Sequence, residues 1–311
     1  MKKLKVVFMG TPEFCVPILE YLINNCNVVG VVTKPDSKVG RKHEIVYSPI
    51  KKKALENNIK VVQPVKIKEE YQEIIDLKPD IIITCAYGQI IPDKILNFPK
   101  YGCINVHASL LPKLRGGAPI HKAIIYGYEK TGITIMYMDS GMDTGDMISK
   151  SEVIIDDNDT TEILHNKLSD ISVSLLKDTL PKIIDGTNEK IKQDDSLATY
   201  AYNIKREEEH VDFNKNTKEI YNQIRGLNSW PGAYSNLNGK QIKIWESKKM
   251  NEKYDLLPGT IINIDKEGIL VATLDKSILI TLIQLPGKKK TYVKDFVNGI
   301  KKEDYIGKIF N

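Results

Sequence analysis

Asp80-Ile81-Ile82-Ile83-Thr84-Cys85, followed at once by Ala86-Tyr87-Gly88, is a continuous apolar and β-branched run with no polar alternation. A strand that is apolar at every position is buried on both faces, as in a parallel sheet covered by helices above and below. The same grammar recurs on either side. Lys5 to Met9 and Asn27 to Thr33 read as buried strands upstream, Lys60 to Val62 as a short one, and Cys103 to His107 as another downstream. Helical stretches separate them. Thr11 and Pro12 give a cap and a first-turn proline for a helix to about Asn24. Ser48-Pro49 opens a second, ending near Asn57-Asn58, and Ile67 to Leu77 reads as a third. This alternation predicts an α/β fold with a doubly wound, mostly parallel, Rossmann-like sheet. Ile133, Ile135 and Tyr137 mark a further strand. A long helix from about Thr160 to Asp185 has an acidic start and is closed by Gly186.

From Thr187 to Arg206 the hydrophobic pattern weakens, and the grammar then changes. A helix over Thr217 to Arg225 precedes short strands at Gln241 to Glu246, Gly259 to Asp265, Gly268 to Thr273 and Ser277 to Leu282. Turns such as Asn238-Gly239 divide them. Short strands at this spacing suggest a small OB-like β-barrel. The expected organisation is a catalytic domain over 1–189, a linker over 190–206 and a smaller domain over 207–311.

The bulk properties narrow the class. The chain is 41% hydrophobic and 27% charged, with no apolar run near the ~20 residues of a membrane span. Met1-Lys2-Lys3-Leu4-Lys5 has the basic start of a signal peptide, but the apolar run Val6 to Met9 is too short for one, so a cytoplasmic protein is expected. Cys15, Cys26, Cys85 and Cys103 have no C-x-x-C spacing and read as packed free thiols rather than a metal site. A formal charge of +5 suits an anionic partner without requiring one.

Gly10-Thr11-Pro12-Glu13-Phe14 follows the first strand where a dinucleotide fold would carry G-x-G-x-x-G, and that pattern is absent. Three other segments follow predicted strands. In Gly102 to Pro119, Asn105 and His107 are two residues apart and share one strand face. Ligands of open α/β sheets bind beyond such strand ends, although on these residues alone a buried, satisfied histidine with a neighbouring asparagine holding the loop is the better reading. Met138 to Asp146 carries three carboxylates. A calcium loop fails there, because Thr144 stands at the sixth position and Lys150 at the twelfth, whereas a polar turn capped by Asp139 and Asp146 remains open. Ala86 to Pro92, taken alone, is only a loop.

Taken together the segments are specific. Asn105-x-His107, Ser109-Leu110-Leu111-Pro112, Arg115-Gly116 and Asp139-x-Gly141-x-Asp143-Thr144-Gly145-Asp146, in this order and spacing, resemble the 10-formyltetrahydrofolate-dependent formyltransferases. The resemblance implies transfer of a formyl group from a folate carrier to an amine, with Asn105, His107 and Asp143 as the catalytic set. It implies folate contacts at Ser109, Leu110, Leu111, Pro112, Tyr87, Gly88, Ile90, Asp139 and Thr144. The residue types suit the chemistry. An amide N–H can bind the developing oxyanion, and an imidazole and a carboxylate can orient one another and move protons. A formyl carbon is already electrophilic, so no metal is expected.

Within that family the length and the second domain resemble the branch whose acceptor is initiator methionyl-tRNA; the alternative is a sugar-nucleotide amine. The long basic segment from Lys34 to His43 resembles a loop that meets the acceptor stem, with Lys38, Arg41 and Lys42 as contacts. It departs from the family form at Lys42, where a glycine is common, and at His43-Glu44, which replace a more basic pair. Lys51-Lys52-Lys53 and Lys288-Lys289-Lys290 are basic clusters suited to phosphates. The resemblance places tRNA-backbone contacts at Lys288, Lys289 and Lys290, and Trp230 reads as packing. A monomer is expected.

Overall fold

The computed structural model describes residues 1–39 and 44–311. They fall into two compact units, one of Met1–Pro119, Lys130–Val153 and His165–Tyr202, the other of Ile120–Glu129, Ile154–Leu164 and Asn203–Asn311.

The first unit is built on strands β1 (Lys5–Gly10), β2 (Asn27–Val32), β5 (Val61–Val62), β6 (Ile81–Cys85), β7 (Cys103–His107), β8 (Lys130–Tyr137) and β9 (Met147–Ile154). They form one sheet in the order β5-β2-β1-β6-β7-β8-β9. β5, β2, β1, β6 and β7 run parallel, and β8 is antiparallel to β7. The strand order reverses between β1 and β6, so the carboxyl ends of these central strands open onto the crevice that such sheets use for ligands. β6 is buried at all five positions, as its unbroken apolar run requires. A small two-stranded sheet pairs β3 (Ser37–Val39) with β4 (Glu44–Val46).

Helices α1 (Val16–Asn25), α2 (Pro49–Glu56), α3 (Gln72–Asp76) and α4 (Asp93–Leu96) join these strands. α2 begins as its sequence dictates, with the Ser48 side chain accepting from the Lys51 N–H and a proline in the first turn. Two expectations are corrected. Pro12 is extended, and α1 starts at Val16 after a 3-10 turn, with Pro17 as its first-turn proline. The third helix is confined to Gln72–Asp76, because the Ile67 N–H donates to Gln89 Oε1 (3.0 Å) and draws that end of the segment out of helical geometry. The apolar core on one face gathers Val7, Met9, Val32, Ile74, Ile82, Tyr87, Ile91, Ile95 and Cys103.

Residues 190–202, expected as linker, are tied into this unit by main-chain pairing. Met147 and Ile191 exchange N–H···O bonds at 2.8 Å, Arg115 N–H donates to Thr199 O (2.8 Å), and Ala201 N–H donates to Arg115 O (2.7 Å). The stretch is polar because it lies on the surface, and it is ordered by its backbone.

The second unit is antiparallel. β10 (Ala233–Leu237), β11 (Lys240–Met250), β12 (Ile261–Ile264), β13 (Ile269–Ala272) and β14 (Ser277–Gln284) follow the order β10-β11-β14-β13-β12, with β15 (Thr291–Tyr292) on β14. Bulges around Glu246 bend the long β11. Helix α7 (Thr217–Gly226) buries Ile220 and Ile224 in this unit's core, and the short α8 (Val293–Phe296) contributes Val293. Parts of α5 (Pro119–Ile125) and of the first turn of α6 (Thr161–Asp185) belong here too. Thr161 Oγ1 donates to Gly226 O (2.6 Å), and the Arg225 guanidinium donates to Asp156 O and Asp159 O. Among the described residues no helix is long and apolar enough to cross a membrane.

Candidate active site

β6 and β7 are in register, with Thr84 beside Asn105. The Thr84 hydroxyl, 2% exposed, donates to Asn105 Oδ1 at 2.9 Å. That bond decides which way the amide points: the oxygen faces Thr84, and Nδ2 faces Asp143, donating to its Oδ1 at 3.3 Å. One N–H of Nδ2 is left over for a ligand.

His107 ends β7 and is buried. Its Nε2 lies 3.0 Å from the Leu114 carbonyl oxygen, which only accepts, so Nε2 carries the hydrogen. Nδ1 is therefore the atom free to take up and release a proton, and it faces Asp143 Oδ1 at 3.6 Å. The Leu114 carbonyl is aimed by a left-handed backbone (φ 60°), which the bond from Leu114 N–H to Thr199 Oγ1 helps to hold.

Asp143 closes the arrangement from the β8–β9 connection. Its Oδ2 accepts from the Gly116 N–H at 2.8 Å, so both carboxylate oxygens are oriented. Its backbone is left-handed (φ 56°), an uncommon conformation for a residue other than glycine, and one that needs outside support. Gln193 supplies that support: its Nε2 donates to the carbonyls of Asp143 and Gly145, each at 2.8 Å. The Gln193 Oε1 in turn accepts from Arg115 Nε (3.1 Å) and Nη2 (2.8 Å), and Arg115 also pairs with Asp195 at 2.7 Å. Sequence reasoning passed over Gln193, because nothing local marks it: its partners lie 50 and 78 residues away. Two glycines let the loops close. A Cβ on Gly145 would sit 1.9 Å from the Tyr137 carbonyl oxygen, and one on Gly116 (φ 118°) would sit 2.9 Å from that of Ala201.

The residues expected to touch folate are divided. Asp139 and Thr144 are close, but bonded to each other: Thr144 Oγ1 donates to Asp139 Oδ1 (2.6 Å), which also accepts from Gly141 N–H (3.0 Å). Ser109 to Pro112 form a turn. Ser109 Oγ donates to Lys113 O (2.6 Å), Leu111 N–H donates to Thr134 Oγ1 (3.1 Å), and Lys150 Nζ donates to Leu111 O (2.6 Å). Burial lowers the Lys150 pKa. Leu110 lies against Gly132. On the third loop Ile90 is exposed and Gly88 is left-handed (φ 84°). Tyr87 is buried with its hydroxyl unpartnered among the described residues, and burial pushes its pKa up to about 12. A cavity of about 530 Å³ opens beside the start of β7. It is lined by Leu96, Cys103, Tyr137 and Met138 among others, and by none of the nine expected folate residues.

Of the basic residues, Arg41 and Lys42 lie outside the described residues, as does the Lys38 side chain. Lys288, Lys289 and Lys290 are exposed, and Lys290 sits over the Trp245 ring at 3.5 Å. Lys51 and Lys53 are engaged by carboxylates, Asp36 for the first and Glu20 and Glu56 for the second. Trp230 is exposed, with its ring edge-on to His121.

Comparison with known proteins gives the wider setting. Residues 2–180 match the formyl transferase family, and residues 203–301 match the formyl transferase C-terminal domain. A methionyl-tRNA formyltransferase of Bacillus velezensis is 53% identical over 299 residues, covering 95% of this chain and 94% of the relative. Among solved structures, an N-formyltransferase from Helicobacter canadensis, in complex with folinic acid and dTDP-3-aminofucose, is 25% identical with a TM-score of 0.66. The match covers 90% of this chain and 99% of that one. A methionyl-tRNA formyltransferase from Clostridium thermocellum shares the fold at 20% identity, with a TM-score of 0.57 over 80% of this chain and 95% of the other. Both domain matches follow in chain order, and half of all positions are shared with a relative along nearly its full length: the chain belongs to the methionyl-tRNA formyltransferase family.

Proposed function

We propose that this protein transfers the formyl group of 10-formyltetrahydrofolate to the free amino group of methionyl-initiator tRNA. The observation that carries the reading is the convergence of Asn105, His107 and Asp143, with Asn105 Nδ2 and His107 Nδ1 both directed at Asp143 Oδ1.

Each group has a task. As the amine adds to the formyl carbon, negative charge builds on the formyl oxygen. The spare N–H of Asn105 binds that oxygen, and Thr84 keeps the amide from rotating away. A donor of this kind contributes about 2.7–4 kcal/mol to barrier lowering where one has been removed from another enzyme. The amine nitrogen must shed a proton as its bond to carbon forms, and the departing folate nitrogen must gain one. His107 Nδ1 and Asp143 Oδ1 form the proton-handling pair between those events. The Gly116 N–H keeps Asp143 oriented while its partner changes charge.

For the folate, the reading rests on the loops at 86–92 and 139–144. Ile90 and Met142 are apolar and exposed on these two loops. Exposed apolar surface of this kind suits a planar heterocycle. Tyr87, Gly88, Ile90, Asp139 and Thr144 would shape the pocket. Ser109 to Pro112 would support it through their turn, since the Ser109 hydroxyl is already committed. Arg41, Lys42, Lys38 and the Lys288 to Lys290 run would meet tRNA phosphates, which makes binding salt-sensitive.

The test supplies 10-formyltetrahydrofolate with methionyl-initiator tRNA and, separately, with amino-sugar nucleotides. Formyl transfer to the tRNA is the expected result. Transfer to the sugar alone would overturn the acceptor.

A further inference from the structure

Two tyrosines of the stretch 190–202 have no part in the core. Tyr200 and Tyr202 are 45% and 60% exposed, and their rings stack in parallel, 5.6 Å between centroids and 4° between planes. Neither hydroxyl has a hydrogen-bond partner among the described residues. The residue between them, Ala201, is fully buried and bonded through its backbone at both ends, to Arg115 O and to the Ala118 N–H. The backbone is thus fixed, and the period of two in extended chain sets both rings on the same, outer side.

Their location gives this exposed pair a direction. Tyr200 bridges Arg115, and the next residue, Gly116, donates to the Asp143 carboxylate at 2.8 Å. Paired chains lie about 4.8 Å apart, so the tyrosine backbone is one chain spacing from the strip that holds the catalytic carboxylate. On an aminoacylated tRNA, the reacting nitrogen is joined through the ester and ribose to the terminal base. That span is roughly 9 Å with bonds of about 1.5 Å. The terminal base must therefore lie close to Asp143, and it belongs to an unpaired end whose faces are free to stack. Flat aromatic rings accept any base in this way.

We propose that the Tyr200–Tyr202 pair is a stacking platform for the unpaired bases at the 3′ end of the acceptor tRNA. The inference rests on the acceptor assigned above. The platform orders the end of the RNA and delivers the amine to the site, and it takes no part in proton transfer.

The test compares the wild-type protein with the double variants Tyr200→Leu/Tyr202→Leu and Tyr200→Phe/Tyr202→Phe. Their thermal unfolding is measured alongside, to match folded fractions. Leucine keeps apolar bulk and removes the aromatic face, whereas phenylalanine keeps the face. The probe is initiator methionyl-tRNA, unmodified for kinetics and with 2-aminopurine as its terminal base for fluorescence. The wild-type protein and the Phe variant should quench the probe on binding. The Leu variant should lose the quenching and raise KM for the tRNA by roughly ten-fold or more, with KM for the folate unchanged. Equal quenching and equal KM in the Leu variant would overturn the platform while leaving the acceptor intact. A wild-type protein that formylates no tRNA at all would instead remove the acceptor assignment, and the platform with it.

Discussion

The side-chain amide of Gln193 donates to the carbonyl of Asp143 at 2.8 Å and so holds that residue in a left-handed backbone. The second donor of the same amide holds Gly145, and its oxygen anchors Arg115, which is 2% exposed. In the proposed reaction Gln193 is a positioning residue: it touches the loop that carries Asp143 and none of the reacting atoms.

Gln193→Ala and Gln193→Glu should separate positioning from simple packing. Glutamate keeps an acceptor for Arg115 and loses both donors to the loop. Both variants should lower kcat, by up to about 100-fold given the sensitivity of a catalytic site to displacements near 1 Å, with KM for the tRNA little changed. Steady-state kinetics on the two variants checks this. Full turnover in Gln193→Glu would show that the loop needs neither donor.

The Thr84–Asn105 bond predicts a graded pair. Asn105→Ala removes the donor proposed for the formyl oxygen and should lower kcat by about 100- to 1,000-fold. Thr84→Val leaves the amide in place but free to rotate, and should lower kcat by roughly 10-fold, the loss expected when one modest orienting hydrogen bond goes. Because both changes act through one amide, the double variant should be no slower than Asn105→Ala alone. Additive losses in the double-mutant cycle would mean that Thr84 acts by some other route.

What could be read in advance follows from how local each signal is. β6 and β7 are continuous apolar runs, and the start of α2 is fixed by Ser48 and Pro49, so sequence alone places them within a residue. Asn105 and His107 are legible as a pair on one strand face, and Asp143 only through the family resemblance. Their orientation is not, because it depends on Thr84, the Leu114 carbonyl and the Gly116 N–H, contributed by a second strand and the loop after β7. β9 escaped notice because Met147 to Ile154 mixes serines and charges on its exposed half, leaving no apolar alternation to detect. Residues 190–202 resembled a linker for a related reason. Their order comes from main-chain bonds to 115, 118 and 147, which side-chain composition does not report.

Gly145 offers a steric test of the same loop. A methyl group there would overlap the Tyr137 carbonyl, so Gly145→Ala must push the β8–β9 connection away from the sheet. Folate binding and turnover should fall together, with a stability loss of about 1–3 kcal/mol, the usual cost of overpacking. Titration with 10-formyltetrahydrofolate and chemical denaturation measure the two effects. Wild-type folate affinity in a folded variant would remove this loop from the folate site.

The second unit carries a prediction of its own, in the pairing of Lys122 with Glu208. Lys122 is 3% exposed, so its ammonium depends on that carboxylate. Burial pushes the Glu208 carboxyl up, but the Lys122 ammonium and the Lys205 N–H outweigh it and hold the pKa below its ordinary value. A carboxyl lowered by folding adds stability at pH values above its unfolded pKa of about 4.3, and that contribution drains away as the pH falls through the lower folded value. Glu208→Gln should therefore destabilise the protein at neutral pH by about 2 kcal/mol, less than for a fully buried pair because solvent reaches the 39%-exposed glutamate side chain. As the pH falls below the unfolded value and on through the lower folded one, the wild-type carboxyl takes up its proton and comes to resemble the amide, so the gap between the two proteins should narrow. Denaturation curves for both proteins from pH 7 down to pH 3 provide the check, and a gap that stays constant across that range would rule out ion pairing as the source of the stability.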